Sequence, residues 1–191
     1  AAPPPPQPTQ SVPPAQLRDE LAAALDAFDE VGANTVVDRA LAEYSLDTFL
    51  GALVMPYLLA LGTRWQDGQV TIAQEHFATS IVRGRLLGLA RGWGTGDGRL
   101  ALLACPSGEQ HDLGLISFGL VLRQQGWRIV LVGPNTPVAT LGEAADRLGP
   151  ALVVVAAMQT PLLESIEGEL AQLAARHRLA LAGPGATAER A

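Results

Sequence analysis

The hydrophobic period of this chain changes once, at the glycine-rich run Gly92-Trp93-Gly94-Thr95-Gly96-Asp97-Gly98. Before the run, apolar residues recur every three to four positions, as they do along one face of a helix. After it they gather in short runs of strand length, separated by helical stretches. A chain divided in this way is neither all-helical nor all-β. It predicts a helical segment followed by an α/β segment with a parallel sheet covered by helices.

The first segment predicts a four-helix bundle. Leu17, Leu21, Ala24, Leu25 and Phe28 share one helix face. Gly32 ends that pattern, and Val36, Val37, Ala40, Leu41 and Tyr44 mark a second, shorter helix capped at Asn34. A third runs from Leu46 to Trp65. A capping box, Thr71-Ile72-Ala73-Gln74, opens a fourth that reaches about Arg91. Beyond the glycines, strands are expected at Leu100 to Ala104, Ile129 to Val132, Leu152 to Ala156 and Leu179 to Ala182. Helices are expected at Leu113 to Gln125, Val138 to Leu148 and Pro161 to His177. The expected organisation is a proline-rich disordered leader (1–14), the bundle (15–91), a glycine linker forming a hinge or turn (92–98) and a flavodoxin/Rossmann-like domain (99–191). Sheets of this kind usually close with a further helix, so a last element is expected to be missing after Gly185.

Composition removes several function classes. All thirteen basic residues are arginine, which excludes a Walker-type phosphate loop and a Schiff-base lysine. The net charge of −6, with no basic run, argues against direct nucleic-acid binding. A single cysteine allows neither an intramolecular disulfide nor a zinc site of several thiolates. The longest apolar stretch, Phe49 to Leu61, is interrupted by Pro56 and reads as too short for a membrane span. No segment reads as a secretion signal, and a cytoplasmic location is expected.

In parallel sheets, ligands sit at the carboxyl ends of the strands. The loop after the first strand, Cys105-Pro106-Ser107-Gly108-Glu109-Gln110-His111-Asp112-Leu113-Gly114, places a histidine there. An acid two residues earlier can hold one ring nitrogen and leave the other for a metal. The alternative is a surface loop whose acids favour a helix N-terminus. At the end of the helical hairpin, Trp65, Glu75 and His76 are expected to converge, an apolar plate beside a carboxylate and an imidazole. The alternative there is a packing tryptophan beside a solvated pair.

Glu109-Gln110-His111-Asp112-Leu113-Gly114 resembles the Asp/Glu-x-His-x-x-Gly motif of cobalamin-binding domains. The resemblance implies His111 as the lower axial ligand of cobalt, Glu109 as its partner, and Asp112, Leu113 and Gly114 beside the cofactor. The family's Ser-x-Leu signature stands here as Ala156-Ala157-Met158, without its serine, and its later Gly-Gly as Gly183-Pro184-Gly185. Gly133, in the loop after the second strand, completes the expected cofactor contacts. Trp65, nine residues, then Glu75-His76 resembles the signature of the CarH/LitR photoreceptors, in which a four-helix bundle shields the upper face of adenosylcobalamin.

The resemblance spans roughly residues 15–190. It implies a light-sensing, non-enzymatic cobalamin protein. Adenosylcobalamin would lie between sheet and bundle, and light would alter contacts with a signalling partner or a second copy in a homo-oligomer. Two departures accompany it. The proline-rich leader stands where those repressors carry a DNA-binding domain, and Gln66 stands where well-known members carry a histidine. The module is also similar to the photocobilins, which implies a bilin such as biliverdin, held noncovalently because the bundle has no cysteine. The competing readings are a corrinoid carrier subunit of a methyltransferase and a cobalamin storage module. Elsewhere, Cys105 reads as a buried small residue, Trp93 and Trp127 as packing residues, and His177 as a group favouring a helix C-terminus.

Overall fold

A computed structural model describes residues 12–186. Most of the proline-rich leader and the expected missing final element lie outside them. The described chain forms two compact units, 1–82 and 83–191, dividing inside a helix.

The first unit is helical. Helix α1 (Pro14–Asp26) starts on a proline, whose missing N–H costs nothing in a first turn, and it buries Leu17, Leu21 and Leu25. Helix α2 (Glu30–Glu43) begins earlier than the glycine suggested. Asp29 is its cap, accepting from the Gly32 backbone N–H at 2.9 Å. Gly32 and Asn34 therefore lie inside the helix, where the Asn34 side-chain amide donates to the Glu30 carbonyl at 2.9 Å. An aspartate cap outranks the glycine as a boundary signal because it satisfies a first-turn donor. α1 packs on α2 through Leu and small Ala positions, Ala33 and Ala40 being fully buried.

The third helix of the sequence reading is three pieces in one run: α3 (Leu46–Thr48), a π-helical turn (Phe49–Val54) and α4 (Met55–Gln66). The cause is Pro56, which lacks an N–H and crowds the carbonyl four residues back. The wide turn, in which the Met55 N–H reaches the Leu50 carbonyl, absorbs it. Proline thus bends the pairing without ending the helix, and the 21-residue run Leu46–Gln66 is, by length and composition alone, long and apolar enough to cross a membrane. Its apolar face is occupied within the unit, since Phe49, Leu50, Leu53, Val54, Tyr57 and Leu61 are buried. The capping box forms as expected: Thr71 Oγ1 accepts from the Gln74 N–H at 3.2 Å, and Gln74 Oε1 accepts from the Thr71 N–H at 3.0 Å. It starts α5 (Ile72–Leu89).

The second unit carries a four-stranded parallel sheet in the order β2-β1-β3-β4. The strands are β1 (Leu100–Pro106), β2 (Arg128–Thr136), β3 (Leu152–Ala156) and β4 (Leu179–Ala182). Central β1 is buried along its length, as its unbroken apolar run requires. The helices are α6 (Leu113–Gln124), α7 (Val138–Leu148), α8 (Thr160–Ser165) and α9 (Glu167–Ala174). The expected single helix from Pro161 to His177 is broken at Ile166, whose backbone leaves the helical region. Leu102 and Ala104 of β1 join Val153 and Val155 of β3 under α7 and α9 in one core.

The glycine run is packed against this second unit. Trp93 is buried, its carbonyl accepts from the Ile129 N–H at 2.8 Å, and Arg128 Nε donates to the Gly98 carbonyl at 2.8 Å. A Cβ on Gly98 would sit 1.8 Å from the Gly126 carbonyl oxygen. Glycine is needed there for a close backbone crossing. The boundary between compact units falls instead between Val82 and Arg83.

Candidate functional site

From β1 the chain turns to β2 on one side, and from β2 it crosses to β3 on the other. The carboxyl ends of β1 and β3 therefore flank the switch point where such sheets bind ligands. Four segments meet there.

The β1–α6 loop supplies Glu109 and His111. The Glu109 carboxylate is buried, yet it accepts from the His111 backbone N–H at 2.8 Å and from the Met158 N–H at 2.7 Å. It also lies 2.6 Å from His111 Nδ1. Burial pushes its pKa up, but the hydrogen bonds from Met158 and His111 outweigh that and hold the carboxyl below its usual range. A carboxylate so held fixes His111 in the tautomer with hydrogen on Nδ1. The His111 side chain is 71% exposed, so Nε2 has a lone pair to offer a metal.

The loop is also braced from β2. That strand runs four residues beyond its expected end at Val132, to Thr136, because Gly133 (φ 105°) and Asn135 (φ 54°) take left-handed backbone where its register with β1 shifts. Asn135 Oδ1 accepts from the Gly108 N–H at 2.9 Å, and the Asn135 N–H donates to the Glu109 carbonyl at 2.9 Å. The sequence analysis missed Asn135. Its signal was the residue type, since asparagine tolerates positive φ better than other side chains do.

Asp112, expected beside the cofactor, is buried and turned to Arg83. Arg83 Nη2 donates to its Oδ2 at 2.8 Å, and Nε lies 3.0 Å from Oδ2 and 3.1 Å from Oδ1. Leu113 and Gly114 open α6, and a Cβ on Gly114 would meet nothing within 4 Å, so the space over this turn is open. Ala156 is buried at the end of β3, while Met158 offers its backbone N–H to Glu109. Gly183 and Gly185 serve close backbone crossings, because a Cβ at either would stand under 3.0 Å from backbone atoms at Ala157 or Gln159. Cys105 lies buried below the loop, its thiol pushed up to about 12 by burial and by the Glu109 and Asp112 charges. It is therefore a protonated packing residue.

In the helical unit, Trp65 near the end of α4 is 49% exposed, an unusual cost for so large an apolar surface. Glu75 and His76 lie in the first turns of α5, His76 Nε2 standing 3.6 Å from Glu75 Oε2. Beneath them Tyr57 is buried, and its hydroxyl has no hydrogen-bond partner among the described residues. Arg64, next to Trp65, forms a two-pronged ion pair with Asp26 of α1, at 2.6 and 3.3 Å. His177, expected to favour a helix C-terminus, is instead bonded through Nε2 to Asp146 Oδ1 at 2.8 Å, and Asp146 also pairs with Arg176.

Among the described residues no group of three or more His, Cys, Asp or Glu side chains could hold a metal ion. A metal held by His111 must bring its remaining ligands with it, as cobalt in a corrin ring does. The donor set thus fits cobalamin.

Comparison with known proteins agrees. Residues 17–87 match the family model described as B12 binding domain. The chain is 33% identical over 156 residues to the HTH-type transcriptional repressor CarH of Myxococcus xanthus, spanning 82% of this chain and 52% of that protein. It is 30% identical over 141 residues to the repressor CarA of the same organism, over 73% of this chain and 47% of that protein. The chain therefore spans about half the length of these curated relatives. In fold it is similar to the Methanosarcina barkeri monomethylamine corrinoid protein, with a TM-score of 0.73 and 17% identity, over 91% of this chain and 87% of that one. This is an α/β protein with a four-stranded parallel sheet that carries a match to the B12 binding domain and is related to the CarH and CarA repressors.

Proposed function

We propose that this chain is a light-sensing module that binds adenosylcobalamin and does not itself catalyse a reaction. The observation that carries the reading is the exposed His111 imidazole with its Nδ1 held by the buried Glu109 carboxylate. When bound, adenosylcobalamin supplies a cobalt–carbon bond that light can break. The chain's own residues do the rest. His111 would offer Nε2 to the cobalt, Glu109 fixes the ring, and the bare first turn of α6 at Gly114 would leave room for the cofactor's tail. Leu113, Gly133, Ala156, Met158, Gly183 and Gly185 shape the strand ends around that tail. In the helical segment, proposed as a four-helix bundle, the exposed Trp65 would offer an apolar plate and Glu75 and His76 hydrogen-bonding groups to the cofactor. A change in what these three residues contact becomes a signal only if a partner or a second copy binds the two states differently. A cytoplasmic setting and a noncovalent biliverdin beside the corrin belong to the same proposal.

A second reading is a corrinoid carrier subunit, and Gln66 favours it, because the photoreceptors' histidine is replaced there. The experiment is an absorption spectrum after dark reconstitution with adenosylcobalamin, then green light, for wild type and His111→Ala. The photoreceptor reading expects a bound corrin spectrum that converts under light and is altered in the dark by His111→Ala. A bound corrin unchanged by light moves the reading to carrier or storage. An unaltered His111→Ala spectrum removes His111 as ligand.

A further inference from the structure

The residue that follows His111 is clamped from outside its loop. Asp112 precedes α6, where an aspartate ordinarily turns its side chain onto the first-turn N–H groups. Here it makes no such bond. Its carboxylate, 3% exposed, goes instead to the Arg83 guanidinium. The peptide around it is fixed too: the Asp112 N–H donates to the Gln110 carbonyl at 3.1 Å, and its own carbonyl accepts from Ile116 at 2.8 Å. His111 therefore stands between two buried acids, Glu109 tied to the end of β3 and Asp112 tied to Arg83.

We propose that Arg83 is a positioning residue for the cobalt ligand, holding Asp112 so that the His111 ring is presented at a fixed angle. The inference rests on the reading of His111 as that ligand. A guanidinium suits the task because its planar fork constrains direction as well as distance, which a lysine ammonium cannot do. Without Arg83 the Asp112 carboxylate would be buried and unpaired. It would then turn to solvent or onto the start of α6, and the adjoining peptide, with His111, would turn with it.

The test uses the full chain loaded with cobinamide, a corrin lacking the nucleotide base, reduced to the cobalt(II) state. Nitrogen splitting in its electron paramagnetic resonance spectrum then reports a protein nitrogen on cobalt. Wild type should show the splitting and His111→Ala should lose it. Arg83→Gln should lose affinity by about 10- to 100-fold, as outer partners of metal ligands do, and part of its signal should lack the splitting. Arg83→Lys should fall between. Wild-type splitting and affinity in Arg83→Gln overturn the proposal, even with a lowered melting temperature, since that pattern describes a merely structural ion pair. Should Arg83→Gln not fold, Arg83→Lys carries the same reading, and an unaltered signal there overturns the fork as the reason. Splitting retained in His111→Ala removes the ligand assignment and this inference with it, a failure distinguishable from that of Arg83 alone.

Discussion

Removing the Glu109 side chain should cost the α/β unit a large share of its stability before any cofactor is added. The carboxylate satisfies the backbone N–H groups of Met158 and His111 at 2.7 and 2.8 Å and the His111 ring at 2.6 Å. Each donor left dry costs about 1–3 kcal/mol. His111 is exposed, so its ring rehydrates and that contribution is small. The two backbone donors then set the loss for Glu109→Ala at about 2–6 kcal/mol. Glu109→Gln keeps one acceptor oxygen and loses the charge, so about 1–2 kcal/mol is expected. In a unit of this size the alanine variant should melt roughly 10–30 °C below wild type. Acid adds a sign. The folded carboxyl titrates below its ordinary value, so its stabilisation is fully present above the unfolded glutamate pKa of about 4.3. It is lost as pH falls through the lower folded value. Wild type and Glu109→Gln should therefore converge in stability in that acid window. Denaturant unfolding measured from neutral pH downward checks both statements. An alanine variant within about 0.5 kcal/mol of wild type would refute the account of the loop.

Two further substitutions probe the packing. Tyr57→Phe removes a buried hydroxyl with no partner among the described residues, and should leave stability unchanged or raise it by about 1–2 kcal/mol. A loss of more than about 1 kcal/mol in thermal unfolding would mean that the hydroxyl has a partner such as a buried water. Gly98→Ala places a methyl 1.8 Å from the Gly126 carbonyl oxygen, a backbone atom that cannot swing away, and should cost about 3 kcal/mol or more. Gly114→Ala, with open space around its Cβ, serves as the control and should gain up to about 1 kcal/mol from helix propensity. Equal melting temperatures for the two alanine variants would contradict the backbone crossing.

The sequence by itself determined the order of helical and α/β regions and the bounds of several elements. The change of apolar period separated helical from α/β regions. It set β3 at Leu152–Ala156, β4 at Leu179–Ala182 and α7 at Val138–Leu148, and the capping box at Thr71 set the start of α5. These are local matters, decided by burial on one face and by caps within one turn. The pairing of Glu109 with His111 was legible for the same reason, the two residues being two positions apart.

Only the tertiary structure decided what brings distant residues together. Arg83 meets Asp112 across 29 positions, Met158 meets Glu109 across 49, and Asn135 reaches Gly108 across 27. No periodicity encodes such partners, because each depends on how parallel strands and their crossovers are stacked. The same holds for the glycine run, where only the fold brings the Gly126 carbonyl into the space over Gly98. Local propensity is a property of a few neighbouring residues, whereas a close crossing or a buried ion pair belongs to two segments that meet only once the sheet has formed.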